Sequence, residues 1–262
     1  MVQALGPEAG RTGIVHVHSE YSHDGRDTLG HLARLSAQRG IGFVGLTDHA
    51  EDLDAGRFAE YLEHCAEASR LGARLIPGLE FRFAGYPGLH LLAFGLARWI
   101  EPRTPAEFLE QTRGIVGFTM AAHPVLWEYQ LPVGVRAGID AIEVWNAAYN
   151  TRWLPDPRAI RLLQDIRRRR PEVVGVAGLD QHDSRNDREA RVILTGSQVE
   201  DPLVELRAGR FRNRGRTLEF AAQVEVGWAG LAMLSGARAG FDFLEGAQER
   251  AVRAWRRRRR GR

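Results

Sequence analysis

Residues 13–25 read GIVHVHSEYSHDG, with an apolar run passing directly into three histidines and an aspartate within nine residues. His16 and His18 alternate with Val15 and Val17, so the two-residue period of a strand predicts both imidazoles on one face and both valines on the other. A half-buried strand ordinarily turns apolar residues inward and polar ones to water. Two imidazoles projecting together at a strand's C-terminal end point instead to a metal.

The rest of the chain supplies similar strand ends. Short apolar runs alternate with helix-like segments, the pattern of a parallel α/β sheet or barrel. Seven strands are predicted, at Gly13–His18, Gly42–Thr47, Arg74–Glu80, Leu89–Gly95, Gly117–Ala122, Ala141–Trp145 and Val173–Gly178. Helices are predicted between them. One spans Thr28–Arg39 behind Asp27 as N-cap, and another about Arg57–Arg70, with Phe58, Tyr61, Leu62 and Cys65 on one apolar face. Cys65 is therefore a core residue rather than a nucleophile. A third helix opens at the capping box TPAE, Thr104–Glu107, and a fourth at Asp156–Pro157, running into the solvated arginines 167–170.

On this scaffold the strand ends carry TDH at Thr47–His49, GLE at Gly78–Glu80, AHP at Ala122–Pro124 and GLDQHD at Gly178–Asp183, while His90 lies in GLHLLAFGL. Singly, each has an ordinary reading as a cap, a salt-bridge partner or an accident of composition. Together they fall in order at the end of successive strands, where α/β barrels place their active sites.

Composition narrows the alternatives. The 262 residues are 44% hydrophobic, enough for one barrel-sized core, and one cysteine cannot form an internal disulfide. No basic segment with an apolar stretch behind it opens the chain, and no apolar run is long enough for a membrane helix, so a soluble, cytoplasmic protein is expected. The net charge of +3 comes from the tail, Arg256–Arg260 with Arg262, and without those six arginines the body is mildly acidic. Weak nucleic-acid contact, if any, belongs to that tail. The chain contains no lysine, which excludes barrels whose two metals are bridged by a carboxylated lysine.

Motif by motif, HVHSEYSHDG, LTDHA, IPGLEF, AAHP and GLDQH resemble the PHP family, the polymerase and histidinol phosphatase superfamily of metal-dependent phosphoesterases, from about Gly13 to Asp183. The resemblance implies an α/β fold, a distorted seven-stranded (β/α)7 barrel over residues 13–225. Residues 1–12 would be an N-terminal extension, 226–255 a helical segment packed on the barrel, and 256–262 a disordered tail. It also implies two or three divalent metal ions: His16, His18, Glu80 and Asp180 holding the first, Glu80 bridging to a second on His90 and His123, and Asp24, His49 and His182 holding a third. His23, one residue off the motif, reads as part of the connecting turn.

Such a site suits hydrolysis of a phosphate ester, of a small metabolite or a nucleotide, by a hydroxide bridging two cations. Nitrogen and carboxylate donors suit zinc, manganese or iron. Asp48 either orients a ligand or caps a helix. Arg185, Arg188, Trp145 and Asn146 lie where substrate would sit, with loop salt bridges to Asp183 and Asp187 and simple packing as their alternatives. His31 and His64 are read as exposed bystanders. Two other functions stay open: hydrolysis of carboxylic or carbamate esters, suggested by residues 201–220 (read as helix, turn and strand), and a nucleic-acid-binding accessory module.

Overall fold

The computed structural model describes residues 9–150, 153–186, 189–197 and 200–241. The chain divides into two compact units, residues 1–225 and 226–262. In the second, residues 228–241 are helical. The arginine tail, residues 256–262, and residues 242–255 of the expected helical segment lie outside the described residues. Among the described residues no helix is long and apolar enough to cross a membrane.

The first unit is an α/β fold of two mixed six-stranded sheets. In chain order its strands are β1 (Thr12–Val17), β2 (Phe43–Leu46), β3 (Asp48–His49), β4 (Arg74–Ile76), β5 (Gly78–Arg82), β6 (His90–Phe94), β7 (Phe118–Ala121), β8 (Ala141–Asn146), β9 (Val174–Gly178), β10 (Arg191–Leu194), β11 (Phe211–Arg214) and β12 (Glu219–Ala221). The helices are α1 (Leu29–Gln38), α2 (Ala55–Ser69), α3 (Pro105–Thr112), α4 (Val133–Gly138), α5 (Pro157–Arg167) and α6 (Pro202–Arg207). One sheet has the order β12-β11-β10-β1-β2-β4 and the other β3-β5-β6-β7-β8-β9.

Helical crossovers make β1, β2 and β4 parallel: α1 lies between β1 and β2, and α2 precedes β4. The predicted all-parallel arrangement fails at β6, which is antiparallel to both β5 and β7. Only residues 83–89 separate β5 from β6, too few for a crossover of about a dozen residues. A hairpin results, and it sets His90 opposite Arg82, beside the end of β5. Strands β10, β11 and β12 form an antiparallel meander on β1, so residues 201–220 hold a helix and most of a hairpin.

Pro77 splits the predicted strand Arg74–Glu80 into β4 and β5, since proline has no N–H to continue a ladder. Asp27 does not cap α1. Thr28 does, accepting from the His31 N–H, while Asp27 receives the N–H and hydroxyl of Ser184 at 2.6 and 2.9 Å.

Backbone bonds also cross from one sheet to the other. The Leu179 N–H donates to Val15 O, the Gln181 N–H to His16 O and the His18 N–H to Gln181 O, at 3.0, 3.2 and 2.8 Å. One buried cluster includes Val15, Phe43, Ile76, Phe94, Phe118 and Val176, drawn from strands of both sheets. Burying side chains of this size contributes about 1.5–3 kcal/mol each.

Candidate metal centre

The opening motif enters the site through a bulge rather than by strict alternation. Val15 pairs with Gly45 and Val17 with Leu46, which leaves His16 as an extra residue at φ +63°. The bulge re-aims the His16 side chain. Its ring lies 5.5 Å from that of His18, one residue past the strand. His123 and Asp180 also adopt positive φ, +28° and +50°. Non-glycine residues in this region cost about 1–3 kcal/mol each and gather where geometry serves a site.

Glu80, on β5 and almost fully buried, is the centre of the cluster. Its Oε1 lies 2.5 Å from His90 Nδ1 and 3.2 Å from His123 Nε2. Its Oε2 lies 3.3 Å from His18 Nε2, 3.4 Å from His49 Nδ1 and 3.7 Å from His16 Nε2. Asp180 Oδ1 is 3.5 Å from both His16 Nε2 and His18 Nε2. Asp24 divides its oxygens between His49 Nε2 and His182 Nε2, each at 3.3 Å. The nine residues expected at a metal site, six histidines and three carboxylates, are thus brought together. Two donors bound tetrahedrally at about 2.1 Å stand about 3.4 Å apart, close to most of these separations.

Unpartnered atoms test whether cations fit. His16 Nε2, His18 Nε2, both ring nitrogens of His49 and His123 Nδ1 are buried without a hydrogen-bond partner. A buried polar atom left so costs about 1–3 kcal/mol. A divalent cation among them would satisfy several at once. Ligand atoms within 4.8 Å of one another form the sets His16, Glu80 and His123; His16, His18 and Asp180; and His18, His49 and His182.

The electrostatics of the two carboxylates suit the donor set. Burial works against charge on Glu80 and Asp180. It is outweighed at Glu80 by the surrounding imidazoles of His123, His16, His49 and His90, and at Asp180 by those of His16 and His18. Both carboxyls are held below their ordinary range and present anions at neutral pH. Burial also opposes charge on His16, but Glu143 and Asp180 raise its pKa well above the usual value, and Glu80 does the same more modestly for His49. His90 and His182 are lowered, chiefly by burial.

Behind these residues stands Glu143 of β8, which the sequence reading missed. It is fully buried. Its Oε1 accepts from His16 Nδ1 at 2.9 Å, and its Oε2 accepts from the His123 N–H at 2.6 Å and Asn146 Nδ2 at 2.9 Å. A carboxylate can only accept, so Nδ1 of His16 carries the proton and Nε2 is left to face a cation. The signal was a lone glutamate inside the apolar run AIEVWN, since a buried carboxylate requires partners. Gly178 makes room for it: a Cβ there would stand 1.9 Å from Glu143 Oε1.

Asp48 caps no helix. It accepts from the Ser19 N–H and hydroxyl and from the Ser22 hydroxyl at 2.7–2.8 Å. Ser22 Oγ in turn lies 3.3 Å from His18 Nδ1 and accepts the His49 N–H at 2.9 Å.

The Asn146 side chain is fully buried, donating to Glu143 at 2.9 Å and to Asp180 Oδ2 at 3.5 Å and accepting the N–H groups of Ala148 and Tyr149. Trp145, beside it on β8, is buried and stacked on Phe220. Arg185 is bound to Asp183 at 2.6–3.0 Å, 78% exposed, on the rim of a cavity of about 510 Å³ also lined by Arg26, Asp180, Gln181 and His182. Arg188 lies outside the described residues. His31 lies beside Asp27, and His64 bonds the Tyr21 hydroxyl, both away from the centre.

Residues 15–131 match the family model of the PHP domain. The PHP match spans His16, His18, Asp24, His49, Glu80, His90 and His123, and ends before Asp180 and His182. Among solved structures, a protein from Bifidobacterium adolescentis named "putative metal-dependent phosphoesterase" is 18% identical, with 65% of this chain and 87% of that chain covered and a TM-score of 0.47. No curated protein matches the sequence.

Proposed function

We propose that the protein is a metal-dependent hydrolase of phosphate esters, acting on a small phosphorylated metabolite or a nucleotide. The observation that carries this reading is the convergence of six histidines and three carboxylates around Glu80, with five buried ring nitrogens unpartnered. His16, His18, Glu80 and Asp180 would hold one ion, Glu80, His90 and His123 a second, and Asp24, His49 and His182 a third. When bound, divalent zinc, manganese or iron supplies Lewis acidity at phosphorus and an activated water. The protein's part is placement. Glu80 turns one oxygen to each side, Glu143 fixes the His16 ring, and Ser22 with Asp48 sets the turn that carries His18 and Asp24. The cavity beside Asp180 and His182, with Arg26 at its rim, gives an anionic ester a place to dock.

The same reading treats the two sheets as one distorted barrel of seven staves: β1, β2 with β3, β4 with β5, β6, β7, β8 and β9. The hydrogen bonds joining residues 15–18 to 179–181 and the shared core cluster support it. The test is a panel of p-nitrophenyl phosphate, bis-p-nitrophenyl phosphate, p-nitrophenyl acetate and an aryl carbamate, assayed with manganese or zinc and again after chelation. Phosphate-ester turnover that chelation abolishes is expected. Carboxylate or carbamate turnover without phosphate turnover overturns the proposal.

A further inference from the structure

His23 stands one residue outside the motif that supplies Asp24, and its ring is 60% exposed. Exposed histidines usually point wherever solvent allows, but this one is fixed. Asp52 Oδ2 accepts from both its backbone N–H and its Nδ1 at 2.8 Å. The ring therefore lies stacked beside His49, centroids 5.4 Å apart and planes 30° from parallel. With Nδ1 committed to a carboxylate, Nε2 carries the lone pair, and it faces Asp24 Oδ2 at 4.0 Å. Two donors on one ion at bonds of about 2.1 Å can stand at most about 4.2 Å apart, so His23 Nε2 and Asp24 can share a cation without a change of backbone.

Two further observations point to a ligand there. Both ring nitrogens of His49 are buried and unpartnered, and Nε2 lies 3.3 Å from the other oxygen of Asp24. Ligand atoms of His23, Asp24 and His49 all lie within 4.8 Å of one another. A histidine oriented by a carboxylate through one nitrogen, with the other turned to neighbouring donors, is the usual build of a metal-ligating imidazole.

We infer that His23 is an additional protein ligand of the metal position formed by Asp24, His49 and His182, with Asp52 as its positioning residue. The inference rests on the metal centre proposed above. It raises the protein donors at that position from three to four, the number typical of sites that retain their ion. It also reverses the reading of His23 as part of a connecting turn.

The experiment is cobalt binding to the full chain, stripped with chelator and titrated with Co2+, for the wild type, His23→Ala and Asp52→Asn. Bound cobalt is counted by elemental analysis after desalting, the d–d absorption is recorded at each addition, and circular dichroism verifies the fold of each variant. Wild type should bind three ions. His23→Ala should lose the third or bind it at least ~10-fold more weakly, with the spectral change confined to that increment, and Asp52→Asn should weaken it in the same direction. His23 is exposed, so its replacement leaves the core untouched, and Asp52→Asn tests the same geometry without removing the ring. Equal stoichiometry, affinity and spectra in wild type and His23→Ala overturn the inference, as does a wild type that binds only two ions. A wild type that binds no cobalt overturns the metal centre itself.

Discussion

Replacing Glu143 by glutamine tests whether the residues behind the metal centre set its affinity. The carboxylate accepts three buried hydrogen bonds, from His16 Nδ1 at 2.9 Å, the His123 N–H at 2.6 Å and Asn146 Nδ2 at 2.9 Å. Glutamine keeps the volume but has one acceptor oxygen, and its NH2 group opposes either the proton on His16 Nδ1 or the donors on the other side. At least one charge-assisted bond, about 1.5–3 kcal/mol, is lost. Loss of an orienting partner of this kind weakens metal binding about 10- to 100-fold, or about 1.4–2.7 kcal/mol. Competition with a chromogenic chelator measures this directly, and circular dichroism at equal temperature separates it from unfolding. Gly178→Ala reaches the same group from another side, because its Cβ would stand 1.9 Å from Glu143 Oε1 and push the carboxylate off His16. The two variants should weaken binding in the same direction. Folded variants with wild-type affinity would show that Glu143 does not orient His16.

Two further outcomes concern the body of the fold. Cys65 is buried and its thiol is pushed up well above the ordinary value, by desolvation first and then by Asp48, so a disulfide reagent at pH 8 should react slowly with the native protein and promptly in denaturant; a prompt native reaction contradicts the burial. Phe94→Ala should cost about 3–5 kcal/mol in urea unfolding, since the ring is 1% exposed in the cluster drawn from both sheets; a loss under about 1 kcal/mol would mean that these strands do not share a core.

Much of the fold was legible because strand-length apolar runs and helix caps are local signals. Each of the seven predicted runs coincides with at least one observed strand, and Thr104 and Asp156 cap the helices assigned to them. Direction was not local. An all-parallel reading failed at β6 because the seven residues between β5 and β6 form a hairpin, and without that reversal His90 would not begin a strand at the edge of the site. Alternation at His16 and His18 suggested a shared site, whereas the backbone reaches it through a bulge at positive φ, which no periodicity encodes. Asp27 and Thr28 are both capable caps, and the choice between them depended on Ser184, more than 150 residues away. Glu143 was obscured for a related reason: the role of a carboxylate inside an apolar strand is not visible until its partners, His16, His123 and Asn146, are known.

The hydrogen bonds between residues 15–18 and 179–181 also bear on time. Residues 15–18 can make these bonds only after more than 160 further residues have been made. At about 5–20 residues per second, His16 and His18 wait roughly 10–30 s for Asp180 and His182. A ribosome-bound chain stopped near residue 131 holds the stretch matched by the PHP model but lacks the donors that complete the cluster. On the metal centre proposed above, capture of an ion at Asp180 would wait for completion of the unit, a late check that two segments far apart in the chain have met.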